Sequence, residues 1–232
     1  MGPSRPRFPR LMKLFFLVIV AAVLLGMLLG GRVSRLESLR PHWWGFVLVG
    51  LGLQFIPLPE GAAGTDLVVR TIVLAISYGL LVTFAAANLR LAGMPLIMAG
   101  LVMNAVVIVA NGGMPVSADT LRTSGQDDVV ASLDNQGANK HHLLTEDDQL
   151  AFLADVIPVP QPIGQAISVG DVFIYAGLIW AVVAAMRGRT PSPSSAGWGP
   201  YRGRHRPGEV QAPKTPADLG FLPAATKSGT GR

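Results

Sequence analysis

The chain has 232 residues, of which 50% are hydrophobic and 14% are Asp, Glu, Lys or Arg, and because an ordinary soluble domain carries roughly 25% charged residues, this composition argues against a soluble enzyme. The formal net charge of +5 does not indicate a nucleic-acid-binding face, since 8 of the 19 Lys and Arg residues lie in the last 46 positions. The absence of cysteine excludes disulfides, thiolate catalysis and Cys-ligated metal sites.

Charge-free stretches recur along the chain and predict membrane-spanning helices. A helix that crosses a bilayer needs about 20 mostly apolar residues. Residues 14–31, 41–59, 71–89, 91–118 and 172–186 contain no Asp, Glu, Lys or Arg. Around these stretches we predict spans at about 14–30, 43–58, 67–89, 94–110 and 169–186. We therefore expect an all-α integral membrane protein with about five transmembrane helices in a membrane domain of residues 12–187.

The first segment follows a basic leader, residues 1–11, and this arrangement is also typical of a secretory signal peptide. The apolar run at 14–30 is longer than the usual signal core of about 7–15 residues, and no A-x-A cleavage site follows it. An uncleaved span is therefore expected. Met12 is an alternative start, which would leave the leader outside the native protein.

The next three segments carry local signals at their ends. His42-Trp43-Trp44 opens the second segment, and amphipathic aromatic residues are typical of a membrane–water boundary. Asp66 and Arg70 lie on one face at the start of the third, where Arg70 is expected to extend back to the lipid headgroups. The fourth segment ends at Asn111-Gly112-Gly113-Met114-Pro115, a pattern that predicts the end of a helix.

The long connection between the fourth and fifth segments, residues 112–168, is predicted to form an extramembrane cap. Eight acidic and two basic residues between Met114 and Ser168 give this cap a net charge of −6. Ser117 and a Thr145-x-x-Asp148 capping box are expected to begin short helices. Short helices are predicted at 118–122, 127–133 and 146–155. The proline-rich Ile157–Ile163 is expected to lie extended along the membrane surface.

The residues after the fifth segment, 188–232, are rich in Pro, Gly, Ser and basic residues without apolar periodicity, which predicts a disordered basic tail. Counting Lys and Arg in the short loops places this tail in the cytoplasm and the cap outside. The loop arginines that support this orientation are Arg32, Arg35, Arg40 and Arg90. The leader conflicts with it, and a start at Met12 largely removes the conflict. The predicted location is the cell membrane, with a cytoplasmic C-terminus.

Six polar residues are candidates for a cluster near the outer surface: Asn104, Asn111, His141, His142, Asp155 and Asp171. The two adjacent histidines near acidic residues could bind zinc or iron. However, neighbouring residues in a regular element point in different directions, and Asp148 fits a helix cap, so no metal site is predicted. Asn104 is interpreted as a bridge to another helix, with the lining of a path or the binding of a polar ligand as alternatives. Other polar residues at membrane depth are Gln54, Ser77, Tyr78 and Asn88.

Ser168-Val169-Gly170-Asp171 opens the fifth segment and has two interpretations. In a hydrolase, Ser168 would be the nucleophile and His142 its base, with an Asp as orienter. In the other interpretation, Ser-x-x-Asp is a helix capping box. Because no G-x-S-x-G elbow supports the hydrolase, we favour the cap, and we predict no catalytic residue and no cofactor.

Three sequence blocks carry a family resemblance: NAVVIVANGGMPVS at 104–117, KHHLLTEDDQLAFLADVIPVP at 140–160 and SVGD at 168–171. Across roughly 12–187 the chain resembles a family of unknown function of actinobacterial-type multi-pass membrane proteins. The resemblance implies a small bacterial cell-membrane protein and brings no activity.

Two classes of function remain open. The first is a non-enzymatic membrane protein whose acidic cap binds a partner or a small ligand, and it is favoured because each polar cluster has a structural explanation. The alternative is a membrane-embedded enzyme or transport component with a site at the outer surface near His141, His142 and Asn104. The lipid bilayer is the expected partner, a protein partner or homo-oligomer is left open, and no nucleic acid is expected.

Overall fold

The computed structural model describes residues 10–56, 65–136 and 140–189. The predicted basic tail, apart from its first two residues, and nearly all of the predicted leader lie outside the described residues. The alternative start at Met12 is likewise not tested by the fold.

The described chain is mostly helical, as predicted, and the apolar helices follow the order of the predicted segments. The α-helices are α1 (Arg10–Leu28), α2 (Trp44–Gln54), α3 (Thr65–Ala87), α4 (Met94–Asn111), α5 (Ala118–Thr123), α6 (Asp127–Gln136) and α7 (Val169–Met186). Short 3₁₀ helices lie at Val33–Ser38 and Ala151–Leu153. The all-α prediction omitted four short strands in the cap, which are β1 (Met114–Val116), β2 (His141–Leu143), β3 (Ile157–Val159) and β4 (Gln165–Ile167).

Three of the described helices, α3, α4 and α7, are long and apolar enough to cross a membrane, with mean hydropathies of 2.1, 2.0 and 1.9. The apolar stretches of the other two helices, Lys13–Leu28 within α1 and Trp44–Gln54, are shorter. At a rise of about 1.5 Å per residue, α2 is only about 16 Å long. Five spans therefore stay a prediction, while three helices meet the length and composition of a span.

Glycines bring the backbones of α4 and α7 close together at two levels. A Cβ atom added to Gly177 would lie 2.6 Å from the carbonyl oxygen of Gly93, and one added to Gly100 would lie 2.7 Å from Cγ1 of Ile174. Near Gly100, α7 contributes another glycine, Gly170, whose added Cβ would lie 2.9 Å from the Gly100 carbonyl oxygen. Small residues of this kind allow apolar helices to approach closely. The two helices therefore form a tight antiparallel pair.

Arg70 ties the start of α3 to the end of α4. Its side chain is 2% exposed, and its Nε donates a hydrogen bond of 2.9 Å to the carbonyl of Gly112. Gly112 is the C-cap of α4 and has a φ of 66°, so the helix ends where the sequence predicted. The expectation that Arg70 extends to lipid headgroups is wrong, because the guanidinium instead satisfies a carbonyl group left free by the helix end.

The cap combines two small helices with two pairs of strands. Strand β1 pairs in parallel with β2, and β3 pairs antiparallel with β4. The Ser117 hydroxyl accepts a hydrogen bond from the Thr120 amide, which confirms the predicted cap of α5. The second predicted helix is confirmed as α6, which continues to Gln136. The extended conformation predicted for Ile157–Ile163 is found only in β3, which forms one arm of a hairpin, whereas residues 161–163 form a turn.

The helix predicted at 146–155 is wrong, since this stretch contains turns and the single 3₁₀ turn at Ala151–Leu153. Only half of the predicted Thr145–Asp148 capping box forms. Asp148 Oδ2 accepts from the Thr145 amide at 2.8 Å and from its hydroxyl at 3.0 Å, but the Asp148 amide donates to the Thr145 carbonyl. The chain then leaves helical geometry at Leu150, whose φ is 57°. Asn111 holds the preceding residue, Gln149, through two backbone hydrogen bonds.

Candidate functional site

A cavity of about 330 Å³ lies between the cap and the helices α2, α3, α4 and α7. Its volume falls within the range of about 300–1,000 Å³ that is usual for small-molecule sites. The polar residues that line it are Gln54, Tyr78, Asn104, Gln126, Lys140, His141, Asp155, Gln165 and Asp171. Its apolar lining comprises Leu74, Ile108, Met114, Val116, Leu121, Val129, Leu133 and Ala166.

A hydrogen-bonded network of Asn104, Ser168 and Asp171 joins α4 to the start of α7 at this cavity. Asn104 Nδ2 donates to Asp171 Oδ1 at 2.8 Å, and the Ser168 hydroxyl donates to Asn104 Oδ1 at 3.0 Å. Ser168 and Asp171 also form the predicted capping box, which is confirmed. The interpretation of Asn104 as a bridge between helices is confirmed, and the same amide also faces the cavity.

The level of this network explains how the cavity reaches between the helices. Asn104 lies seven residues before the end of α4, which is about 10 Å along the helix axis. At α2, the last residue, Gln54, donates from Nε2 to the Ser77 hydroxyl at 3.0 Å, and Ser77 donates to the carbonyl of Gly50 at 2.8 Å. The end of α2 and the start of α7 thus both contribute residues to the cavity. The cavity extends from the cap past the last turns of α4, as far as Asn104.

Two buried acceptor atoms in the cavity lining have no hydrogen-bond partner among the described residues: Asp155 Oδ1 and Gln165 Oε1. The two residues are 7% and 8% exposed. The Asp155 backbone is fixed by hydrogen bonds to Pro115 and Ser117, and the Gln165 backbone by its place in β4 and by Ser124. Both backbones are therefore fixed, while one side-chain oxygen atom of each residue has no partner among the described residues.

The titratable groups near Asp155 come from two other parts of the chain, the start of α7 and residues 140–141. Burial raises the pKa of the Asp155 carboxyl well above its usual value, and the nearby Asp171 raises it further. His141 Nε2 lies 3.9 Å from Asp155 Oδ2. The His141 side chain is half-exposed and lines the cavity, so this residue lies where the cavity meets the surface. Burial lowers the pKa of Lys140, which also lines the cavity.

Two of the six predicted candidates, His142 and Asn111, do not line the cavity of about 330 Å³. His142 Nε2 is 2.8 Å from Asp148 Oδ1, and neither residue lines the cavity of about 330 Å³. Burial raises the pKa of Asp148, but hydrogen bonds from His142 and Thr145 outweigh this effect and lower it below the usual value. Asn111 lines a second cavity of about 490 Å³ between α3, α4 and the loop at Gln149. Asn104, His141, Asp155 and Asp171 thus share one cavity, whereas Asn111 and His142 do not.

The hydrolase interpretation requires Ser168 and His142 to meet, and the structure gives them different partners. The Ser168 hydroxyl is committed to Asn104 and to the Asp171 amide, while His142 is bonded to Asp148. Within the described ranges, no group of three His, Asp or Glu side chains is arranged to hold a metal ion.

Three polar lining residues were missed at the sequence level: Gln126, Lys140 and Gln165. Gln126 precedes α6 and resembles an ordinary helix start, and Gln165 lies in a strand too short for a clear alternating pattern. Lys140 offered a signal, because it is the only lysine in the acidic cap and directly precedes His141.

Asp155 gives the stability of the chain a defined pH dependence. Because the folded state raises the pKa of this carboxyl, its contribution to stability is full below the unfolded pKa of about 3.9 and is lost as pH rises through the folded pKa. We expect Asp155→Asn to stabilise the ligand-free chain by about 1–2 kcal/mol at about pH 8, and by less as the pH approaches 4. Unfolding curves in detergent across this pH range measure the difference.

The matched control for this prediction is Glu146→Gln, which removes one exposed carboxylate from the cap. It should leave the unfolding curves within about 0.5 kcal/mol of the wild type at every pH. A gain from Asp155→Asn that did not change with pH would contradict the assignment of the effect to ionisation of Asp155.

Comparison with known proteins identifies one relationship. The model of a family of unknown function, DUF5317, matches residues 38–183, which include α2 to most of α7 and therefore every residue that lines the cavity. The family description names no activity, ligand or partner. Neither the comparison with curated proteins nor the comparison with solved structures finds a significant match.

Proposed function

The chain belongs to DUF5317, a family of unknown function, and we propose that it is a non-enzymatic integral membrane protein that binds a small ligand in the cavity beneath its cap. The observation that carries this proposal is the pair of buried, unpaired acceptors, Asp155 Oδ1 and Gln165 Oε1. Leaving a buried polar atom unpaired costs about 1–3 kcal/mol. Such costs are typical of functional sites, where a ligand supplies the missing hydrogen bonds.

The membrane arrangement is part of the proposal. The five apolar segments are the membrane spans of this proposal, with the cap outside and the C-terminus in the cytoplasm. Helix α2, about 16 Å long, forms only part of the second span. The Arg32 amide donates to the carbonyl of Met186 at 2.9 Å, so the basic segments that follow α1 and α7 lie together, at the end opposite the cap. A concentration of Arg residues at one end supports a cytoplasmic position for that end.

A transport component is the second candidate, because the cavity extends down to the network at Asn104 and to the end of the short helix α2. Transporter sites lie typically near the bilayer midplane and use interrupted helices. In proteoliposomes a transport component would move the bound ligand across the bilayer, whereas a binding protein would retain it at the cavity. An enzyme is not favoured, since Ser168 and His142 have separate partners.

Single cysteine variants test the proposed function, because the chain has no cysteine of its own. The reagent is 2-(trimethylammonium)ethyl methanethiosulfonate, which is small and does not cross membranes. In intact cells we expect it to label Glu146→Cys, in the exposed part of the cap, and Gln126→Cys, in the cavity lining. Arg189→Cys, beyond α7, should be labelled only after permeabilisation. Mass spectrometry of the recovered protein measures the labelling.

Ser124→Cys is the matched control for cavity access, since Ser124 is 0% exposed, lies two residues from Gln126 and does not line the cavity. We expect Gln126→Cys to react at least about tenfold faster than Ser124→Cys, because Gln126, although only 6% exposed, lines the cavity through which the reagent would enter. Equal rates would exclude an accessible binding cavity. Labelling of Arg189→Cys but not Glu146→Cys in intact cells would show that the membrane orientation is inverted.

A further inference from the structure

We infer that the ligand of this cavity is a small organic ammonium ion, whose N–H groups bind Asp155 and Gln165 and whose carbon skeleton packs on the apolar wall. This inference rests on the proposed function, that the cavity binds a ligand, and adds the chemical class of that ligand. It is carried by unpaired acceptors, by the distribution of charge and by the apolar lining.

The unpaired atoms select a hydrogen-bond donor. Asp155 Oδ1 and Gln165 Oε1 are buried acceptors of two residues that line the same cavity, and the described residues offer neither of them a donor. A primary ammonium group carries three N–H donors and no acceptor. It therefore has enough donors for both oxygens, whereas a carboxylate or phosphate ligand would place acceptors against acceptors.

The two carboxylates that line the cavity, Asp155 and Asp171, differ in whether their oxygen atoms already accept hydrogen bonds. Asp171 Oδ1 accepts from Asn104, and Asp171 Oδ2 accepts from the Ser168 amide, so this carboxylate is occupied by the start of α7. Asp155 has an unpaired oxygen, and its other oxygen is 3.9 Å from His141 Nε2. Asp155 is therefore the carboxylate that can bind a cationic ligand.

Lys140 limits the charge of the ligand. It lines the cavity together with Asp155 and Asp171, so its own ammonium group offsets part of their negative charge. A ligand with a single positive charge matches Asp155, whose ionised form it would stabilise, whereas a polyamine would place additional positive charge near Lys140.

The apolar wall indicates an organic ligand. Leu74, Ile108 and Met114 line the cavity and belong to one hydrophobic cluster, while Val116, Leu121 and Ala166 line it from another. A carbon skeleton would remove this surface from water. An inorganic cation with its hydration shell would leave this apolar surface in contact with water, so it would bind the acceptors without burying the apolar lining.

The test uses the full chain in lipid nanodiscs at neutral pH, with empty nanodiscs as the blank. Three probes share one skeleton: phenethylammonium, the neutral 2-phenylethanol and the zwitterion phenylalanine. By isothermal titration calorimetry we expect phenethylammonium to bind at least about tenfold more tightly than either relative, since charge-assisted hydrogen bonds are stronger than neutral ones.

Asp155→Asn should weaken phenethylammonium binding at least about tenfold and leave 2-phenylethanol within about twofold, because only the charged interaction is removed. Glu146→Gln, the matched charge control on the exposed part of the cap, should change neither affinity. An unfolding midpoint of Asp155→Asn at or above that of the wild type excludes misfolding as the cause of a loss.

The remaining outcomes overturn the inference in distinguishable ways. Equal binding of 2-phenylethanol and phenethylammonium would reject the ammonium class while leaving ligand binding in the cavity intact. Tighter binding of phenylalanine would identify a zwitterion, and displacement of phenethylammonium by sodium alone at equal concentration would identify an inorganic cation site. If no probe bound above the blank while Gln126→Cys was also unreactive, the inference and the proposed function would fail together. If no probe bound but Gln126→Cys reacted, the inference alone would fail.

Discussion

Gly177→Ala is expected to destabilise the chain by about 3 kcal/mol, or to prevent its accumulation in the membrane. The added Cβ would lie 2.6 Å from the Gly93 carbonyl oxygen and 2.8 Å from the Ile97 amide nitrogen. Both are backbone atoms, so no change of side-chain rotamer relieves the contact. Gly93 itself has a φ of 80° at the start of α4, which restricts how the carbonyl can move. The helices α4 and α7 would have to separate.

Unfolding of the purified chain in detergent measures this effect. The matched control is Gly79→Ala in α3, where an added Cβ meets nothing within 4 Å. Because alanine favours a helix over glycine by about 1 kcal/mol, the control should be neutral or slightly stabilising. Similar losses from both substitutions would contradict the assignment of the effect to the contact between α4 and α7. The same separation would also displace the wall of the cavity that Asn104 and Asp171 form.

The parts of the fold that depend on neighbouring residues were accessible from the sequence. The apolar segments, the caps at Ser117 and Ser168 and the end of α4 at Gly112 each depend on residues within four positions of one another. Their chemistry is complete within a short window, because a cap satisfies amide groups two or three residues away. A signal for the packing of α4 on α7 was also present, in the seven-residue spacing of Gly93 with Gly100 and of Gly170 with Gly177.

The candidate site depends on contacts between distant residues, and the sequence indicated only part of it. Asp155 lies in the cavity because its backbone joins the end of β1, nearly 40 residues earlier, in an isolated bridge to Val116. Gln165 enters through a hairpin whose partner strand contains a proline. Arg70 and Gly112 are likewise 42 residues apart. No local pattern encodes these pairings, so four candidates were found through their polarity and Gln165 was missed.

The network at the base of the cavity is expected to behave as a unit. Asn104→Leu should cost about 2–3 kcal/mol, because it leaves a charged acceptor, Asp171 Oδ1, and the Ser168 hydroxyl without their partner. Asp171→Leu should cost a similar amount, since it removes the capping bond from the Ser168 amide and leaves the Asn104 amide unpaired. Unfolding of the two single variants and the double variant in detergent measures these costs.

The double variant should lose at least about 1 kcal/mol less than the two single losses added together, because the unpaired charge that makes Asn104→Leu costly is absent once Asp171 is replaced. Asn111→Leu with Asp171→Leu is the control cycle. Asn111 bonds to Val107 and Gln149 and shares no partner with Asp171, so its losses should add within about 0.5 kcal/mol. Additive losses for Asn104 and Asp171 would mean that each acts alone. Coupling would instead support a rigid base for the cavity, against which a ligand at Asp155 and Gln165 is held.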